Sequence, residues 1–78
     1  MEQKIRQDKA IGDNLRRLRD AKGISQEKLC AMLQLRGCDI GRSTYDKYER
    51  GELNVKESVL IQLKDFFGCS FDDFFKNL

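Results

Sequence analysis

Four glycines punctuate a chain that contains no proline, and each follows apolar residues set at helical spacing. Gly23 follows Ile11, Leu15 and Leu18, which recur along one helical face from about Asp8 to Lys22. Gly37 follows Leu29, Met32 and Leu33, Gly51 follows Tyr45 and Tyr48, and Gly68 follows Val59 or Leu60, Leu63 and Phe67. Glycine enters the left-handed conformation that ends a helix without a side-chain clash, so these positions read as stops. The segments between them predict helices over about 8–22, from the Ser25 cap to Arg36, over 42–50 and over 56–67. Ser70-Phe71-Asp72-Asp73 has a capping serine and early acids, and predicts a last short helix that closes the core with Phe74 and Phe75. The expected fold class is all-α, a compact five-helix domain over 8–78 preceded by a polar arm at 1–7. Phe67, Phe71, Phe74 and Phe75 are expected in that core.

A chain of 78 residues forms one small domain. Folding at this size buries only about 60% of the surface the unfolded chain exposes, which leaves little room for a deep cleft. Histidine, the commonest general base and metal ligand, is absent. Ser25, Ser43 and the carboxylates therefore have no histidine base, and the chain holds neither a metal-ligand cluster nor a phosphate-binding glycine loop. No catalytic residue, metal, cofactor or small-molecule ligand is expected, and an enzyme is the poorest reading.

Cys30, Cys38 and Cys69 form no Cys-x-x-Cys pair, and an odd count does not make a disulfide framework. They read as reduced thiols. Cys38 is the one to watch for redox sensitivity, with an inert exposed cysteine as the plainer reading. No apolar run approaches the roughly 20 residues that span a bilayer, and the charged start lacks a signal-peptide core. The expectation is a soluble cytoplasmic protein without membrane contact.

The net charge of +2 does not by itself announce a nucleic-acid binder. Its distribution is uneven. Lys4, Arg6, Lys9, Arg16, Arg17, Arg19 and Lys22 crowd the first third, while Asp65, Asp72 and Asp73 lie toward the end. This gives one basic and one acidic side, although an ordinary solvated helix face explains such a run equally well.

Ser25 is placed to cap the second helix, with Glu27 in its first turn. Before the third helix, Gly41 as N-cap would set Ile40 against Tyr45 in a hydrophobic staple. In order along the chain stand Gly23-Ile24-Ser25-Gln26-Glu27-Lys28-Leu29, Arg42-Ser43-Thr44-Tyr45 and Tyr48-Glu49-Arg50-Gly51. Together they resemble the lambda-repressor-like helix-turn-helix family, also called the Cro or XRE type, over Ile11 to Phe75. The chain departs from that family between Leu33 and Arg42, where it carries extra residues. Either the second helix runs longer or Gly37-Cys38-Asp39 loops out, and both keep Ile40 where the family has a buried valine.

The resemblance implies double-stranded DNA as partner, with the third helix in the major groove. It sets Arg42, Ser43, Thr44 and Lys47 at base-facing positions. Arg42 can donate two hydrogen bonds to guanine, and Thr44 can set its methyl against thymine or its hydroxyl on a phosphate. On an isolated helix Arg42 and Lys47 would be plain solubilising residues. Gln26 matches the family glutamine that holds a phosphate at the start of the second helix, where free amides favour an anion. Arg50, Arg16, Arg17 and Lys22 are further phosphate candidates.

Arg19 and Glu49 match a structural ion pair, Cys30 stands where the family usually has alanine, and Asp46 is expected to point toward solvent or a basic neighbour. Ile61 and Phe66 fall off the main stripe of the fourth helix, and are either interface residues of a homodimer or simply core. The expected function is a sequence-specific transcriptional regulator, a repressor on a palindromic operator. The alternative is a protein-interaction module on the same fold, such as a partner-binding antitoxin-like protein.

Overall fold

The computed structural model describes residues 7–75 and is helical wherever it is regular. Four α-helices run in order, α1 (Gln7–Lys22), α2 (Gln26–Leu35), α3 (Arg42–Glu49) and α4 (Glu57–Phe67). A 3-10 helix at Phe71–Phe75 follows them. The fifth helix expected from the sequence is thus a 3-10 turn, for which five residues suffice. Its start is fixed by a local box, in which the Ser70 amide donates to the Asp73 carboxylate at 3.0 Å and the Asp73 amide to the Ser70 carbonyl at 3.1 Å. Of the polar arm proposed for 1–7, Gln7 already belongs to α1 and the rest lies outside the described residues.

Leu15, Leu29, Leu33, Tyr45, Leu63 and Phe74 are fully enclosed, with Cys30, Ile40, Tyr48 and Val59 completing the core. α1 packs chiefly on α3 and on the 3-10 helix, and α2 packs on α3. Ile11, Leu18, Leu60, Phe66 and Phe67 line the edge of this core. Placing Phe67, Phe71, Phe74 and Phe75 all inside needs correction: Phe71 and Phe75 are each 42% exposed. With three residues per turn, Phe75 falls off the inward stripe that Phe74 occupies, whereas Phe71 shares that stripe one turn earlier, its ring 6.4 Å from that of Phe74 and partly open at the start of the helix.

Two polar details lock the helices at fixed positions. The buried Asn14 side chain of α1 donates to the Phe74 carbonyl at 2.7 Å and accepts from Arg17 at 2.6 Å, tying the 3-10 helix to the first helix. Gly12 lies where α1 crosses the end of α3. A Cβ there would come within 2.5 Å of the Tyr48 and Glu49 carbonyl oxygens, so only glycine allows the two backbones to approach so closely.

The extra residues before α3 loop out, and α2 is not prolonged. It stops at Leu35, after which the Gly37 amide reaches the Gln34 carbonyl at 3.0 Å and the Cys38 amide the Leu33 carbonyl at 2.9 Å. That pair of bonds is a Schellman stop, with Gly37 at a φ of 89°. The end of α3 repeats it, with Gly51 bonded to Tyr48 and Glu52 to Lys47. The Gln34 side chain then donates to the Ile40 carbonyl at 2.9 Å, holding the far end of the loop. Ile40 is buried beside Tyr45 in the same core, as the staple requires.

Candidate functional site

α3 is only 8 residues long, and its composition divides it sharply. At about 100° per residue, Tyr45, Tyr48 and Glu49 fall on one arc, and all three are buried. Arg42, Ser43, Thr44 and Lys47 occupy the rest of the circumference and are all exposed. Ser43 and Lys47 take the centre of the exposed arc, with Arg42 and Thr44 at its two margins. The helix therefore presents two cations and two hydroxyls on a short polar surface. The two tyrosines seat that surface on the core.

Beside it stands the start of α2. The Ser25 hydroxyl accepts from the Lys28 amide at 3.0 Å and so caps the helix. Gln26 and Glu27 head the helix, where backbone amides have no carbonyl one turn earlier to bond. An anion is favoured at such an end.

A continuous set of hydrogen bonds joins the two helices. Arg19 of α1 forks onto Glu49, with Nε at 2.7 Å from Oε2 and a second nitrogen at 3.1 Å from Oε1, and also donates to the Ile24 carbonyl at 2.8 Å. The Gln26 amide nitrogen donates to Glu49 Oε1 and to Asp46 Oδ1, both at 3.0 Å. Asp46 Oδ2 pairs with Arg50 Nε at 2.9 Å, and Arg50 continues to Glu52 at 2.9 Å. Both partners of the Gln26 amide are carboxylates, so its nitrogen must face them.

The network grades from interior to surface. The Arg19 and Glu49 side chains are 13% and 4% exposed, whereas Asp46 and Arg50 are 33% and 55% exposed. Burial alone would push the Glu49 carboxyl up, but its contacts with Arg19, Tyr45 and Gln26 outweigh burial and hold it below the usual carboxylate range. The same hydrogen bond raises Arg19, so both groups are held in their charged forms. Asp46 is likewise lowered, first by the Gln26 hydrogen bond and then by Arg50 and Arg42. The Tyr45 phenol is pushed far up, chiefly by burial. Its hydroxyl is enclosed beside Glu49 but falls short of hydrogen-bond geometry.

Sequence reasoning identified the ion pair of Arg19 and Glu49 and the exposed quartet on α3, and the structure brings Gln26 and Arg50 next to them. It does not bring the other basic candidates into the network. Arg16 pairs loosely with Asp20 at 3.9 Å, Arg17 is bonded to Asn14, and Lys22 lies over the Phe66 ring at 5.5 Å. Phe66 is packed on the core edge, edge-on to Phe67 and with the Arg36 guanidinium also over its ring at 6.0 Å, while Ile61 is 40% exposed.

Asn14 and Gly12 escaped the sequence reading. A glycine inside a helix costs about 1 kcal/mol relative to alanine and is a usable signal. A helical asparagine carries none.

Burial raises all three thiols, Cys30, Cys38 and Cys69, which disfavours the reactive thiolate. Among the described residues there is no group of side chains that could hold a metal ion. Nor is any described helix long and apolar enough to cross a membrane.

A family model described as helix-turn-helix matches residues 15–74, which takes in α2, α3, the loop between them and most of the packing around them. No curated protein and no solved structure matches the chain.

Proposed function

The chain belongs to the Cro/C1-type helix-turn-helix family of DNA-binding transcriptional regulators, and from that membership we propose that it is a repressor that binds a two-fold symmetric operator as a homodimer. The observation that carries this reading is the exposed quartet on α3, seated by two buried tyrosines beside the capped start of α2. A helix of this kind fits the major groove, where Arg42 donates to a guanine edge, Thr44 and Ser43 meet a base or sugar-phosphate oxygen, and Lys47 does either. The amides heading α2, with Gln26 and Arg50, hold phosphates and set the register. Arg16, Arg17 and Lys22 add basic charge farther along the backbone.

Two copies are needed because one small domain covers too little duplex for tight selective binding. Ile61, apolar and 40% exposed on α4, and Phe66 at the core edge are the residues assigned to their contact. Repression follows from occupancy of the site.

The test is binding to duplex DNA over a series of salt concentrations, with stoichiometry by sedimentation. Affinity is expected to fall by about 0.9 log units per log unit of salt for each phosphate neutralised, at two chains per site. Salt-insensitive binding, or one chain per site at saturation, would contradict the reading.

A further inference from the structure

Gln26 has two amide hydrogens, and both are engaged by carboxylates of α3. What remains is its carbonyl oxygen, an acceptor, which a phosphate does not favour. Arg50 is similarly engaged, between Asp46 and Glu52. The two side chains best placed to hold the DNA backbone are thus both bound to one carboxylate, that of Asp46, through its two different oxygens.

We propose that Asp46 is a specificity-determining residue: it holds Gln26 and Arg50 in internal bonds, and releases them to phosphates only when the α3 face is seated on bases that offset the exchange. On a non-cognate duplex no base contact compensates, so the internal bonds persist and the protein's grip stays weak. On the operator, the contacts of Arg42 and its neighbours accompany the exchange, and the same side chains add to affinity. Asp46 thereby widens the gap between specific and nonspecific binding, at some expense of total affinity. The role suits its position, because a half-exposed ion pair is worth only about 2- to 5-fold in an equilibrium and is weak enough to be exchanged. The buried Glu49, its side chain 4% exposed, is held too firmly by Arg19 for that. The inference rests on the DNA reading above.

The test compares wild type with Asp46→Asn on the operator recovered by selection and on a scrambled duplex, each over a salt series. Asparagine keeps an acceptor for Gln26 and loses the charge that holds Arg50. Non-operator affinity is expected to rise about 2- to 5-fold, the salt dependence to steepen by up to about 0.9, and the operator-to-scrambled ratio to shrink. The gain must vanish in an Arg50→Ala background if it acts through Arg50. Asp39→Asn removes the same charge from the exposed loop before α3 and is expected to leave the salt slope unchanged.

An unchanged slope and ratio in Asp46→Asn would overturn the proposal. So would an equal gain in the Arg50→Ala background, which would mean a general field effect. Thermal melting of each variant confirms folding. If wild type itself fails to bind any duplex, the DNA reading falls and takes the proposal with it, whereas binding by wild type with no effect of Asp46→Asn removes the proposal alone.

Discussion

Glu49 is the residue on which the site most depends, because it is buried and meets Arg19, Gln26 and Tyr45 at once. Removing one member of a buried charge pair leaves the other without compensation, so Arg19→Met is expected to cost about 3 kcal/mol at neutral pH, measured by urea denaturation. The loss should shrink in acid. The folded carboxyl of Glu49 lies below its ordinary value of 4.5, so its contribution is fully present above the unfolded value and disappears as pH falls through the folded one. Stability of wild type is therefore expected to decline below about pH 4.5, and Glu49→Gln to flatten that decline; parallel pH profiles would contradict the assignment. Arg19 and Glu49 were legible as a pair from the resemblance alone. The double use of Gln26 was not, because it depends on which carboxylates α3 turns toward α2, and spacing along one helix does not settle the angle between two.

Between elements, the loop from Arg36 to Gly41 and the crossing of α1 over α3 decide where the exposed quartet stands. Ile40 anchors the loop, and trimming it to alanine is expected to cost about 2–5 kcal/mol. Leu35→Ala, at a position 88% exposed, should stay within about 0.5 kcal/mol. Similar costs for the two would mean that the loop is not held through Ile40. At the crossing, Gly12→Ala would gain helix propensity worth about 1 kcal/mol, yet its methyl would meet two backbone oxygens that cannot move aside. Overpacking should win by about 1–3 kcal/mol, read as a lower midpoint in the same denaturation series. The helix boundaries were readable within a residue or two because the apolar stripes end at glycines. The sequence left open whether the extra residues lengthen α2 or loop out, since leucine and arginine at 35 and 36 are both good helix formers. The Schellman bonds closed by Gly37 decide it. The 3-10 form of the last helix was hidden too, because the Ser70 and Asp73 box caps an α-helix and a 3-10 turn alike; the Asp73 amide's bond to the Ser70 carbonyl, three residues back, marks the turn.

At the scale of the whole molecule, the ten buried apolar residues among the described ones form a single core that carries both the exposed face of α3 and the half-exposed Ile61 of α4. Ile61→Glu is expected to leave the melting of the free chain nearly unchanged, since the position is exposed, while weakening occupancy of a paired site at low protein concentration. Equal loss on single and paired half-sites would place the effect elsewhere. The most direct test of the account is selection of bound duplexes from a random pool at near-physiological salt, with Arg42→Ala in parallel. Wild type is expected to enrich a two-fold symmetric sequence, and Arg42→Ala to lose preference at one base pair in each half. Enrichment unaltered by Arg42→Ala, or no enrichment by wild type, would contradict base reading by the exposed face of α3.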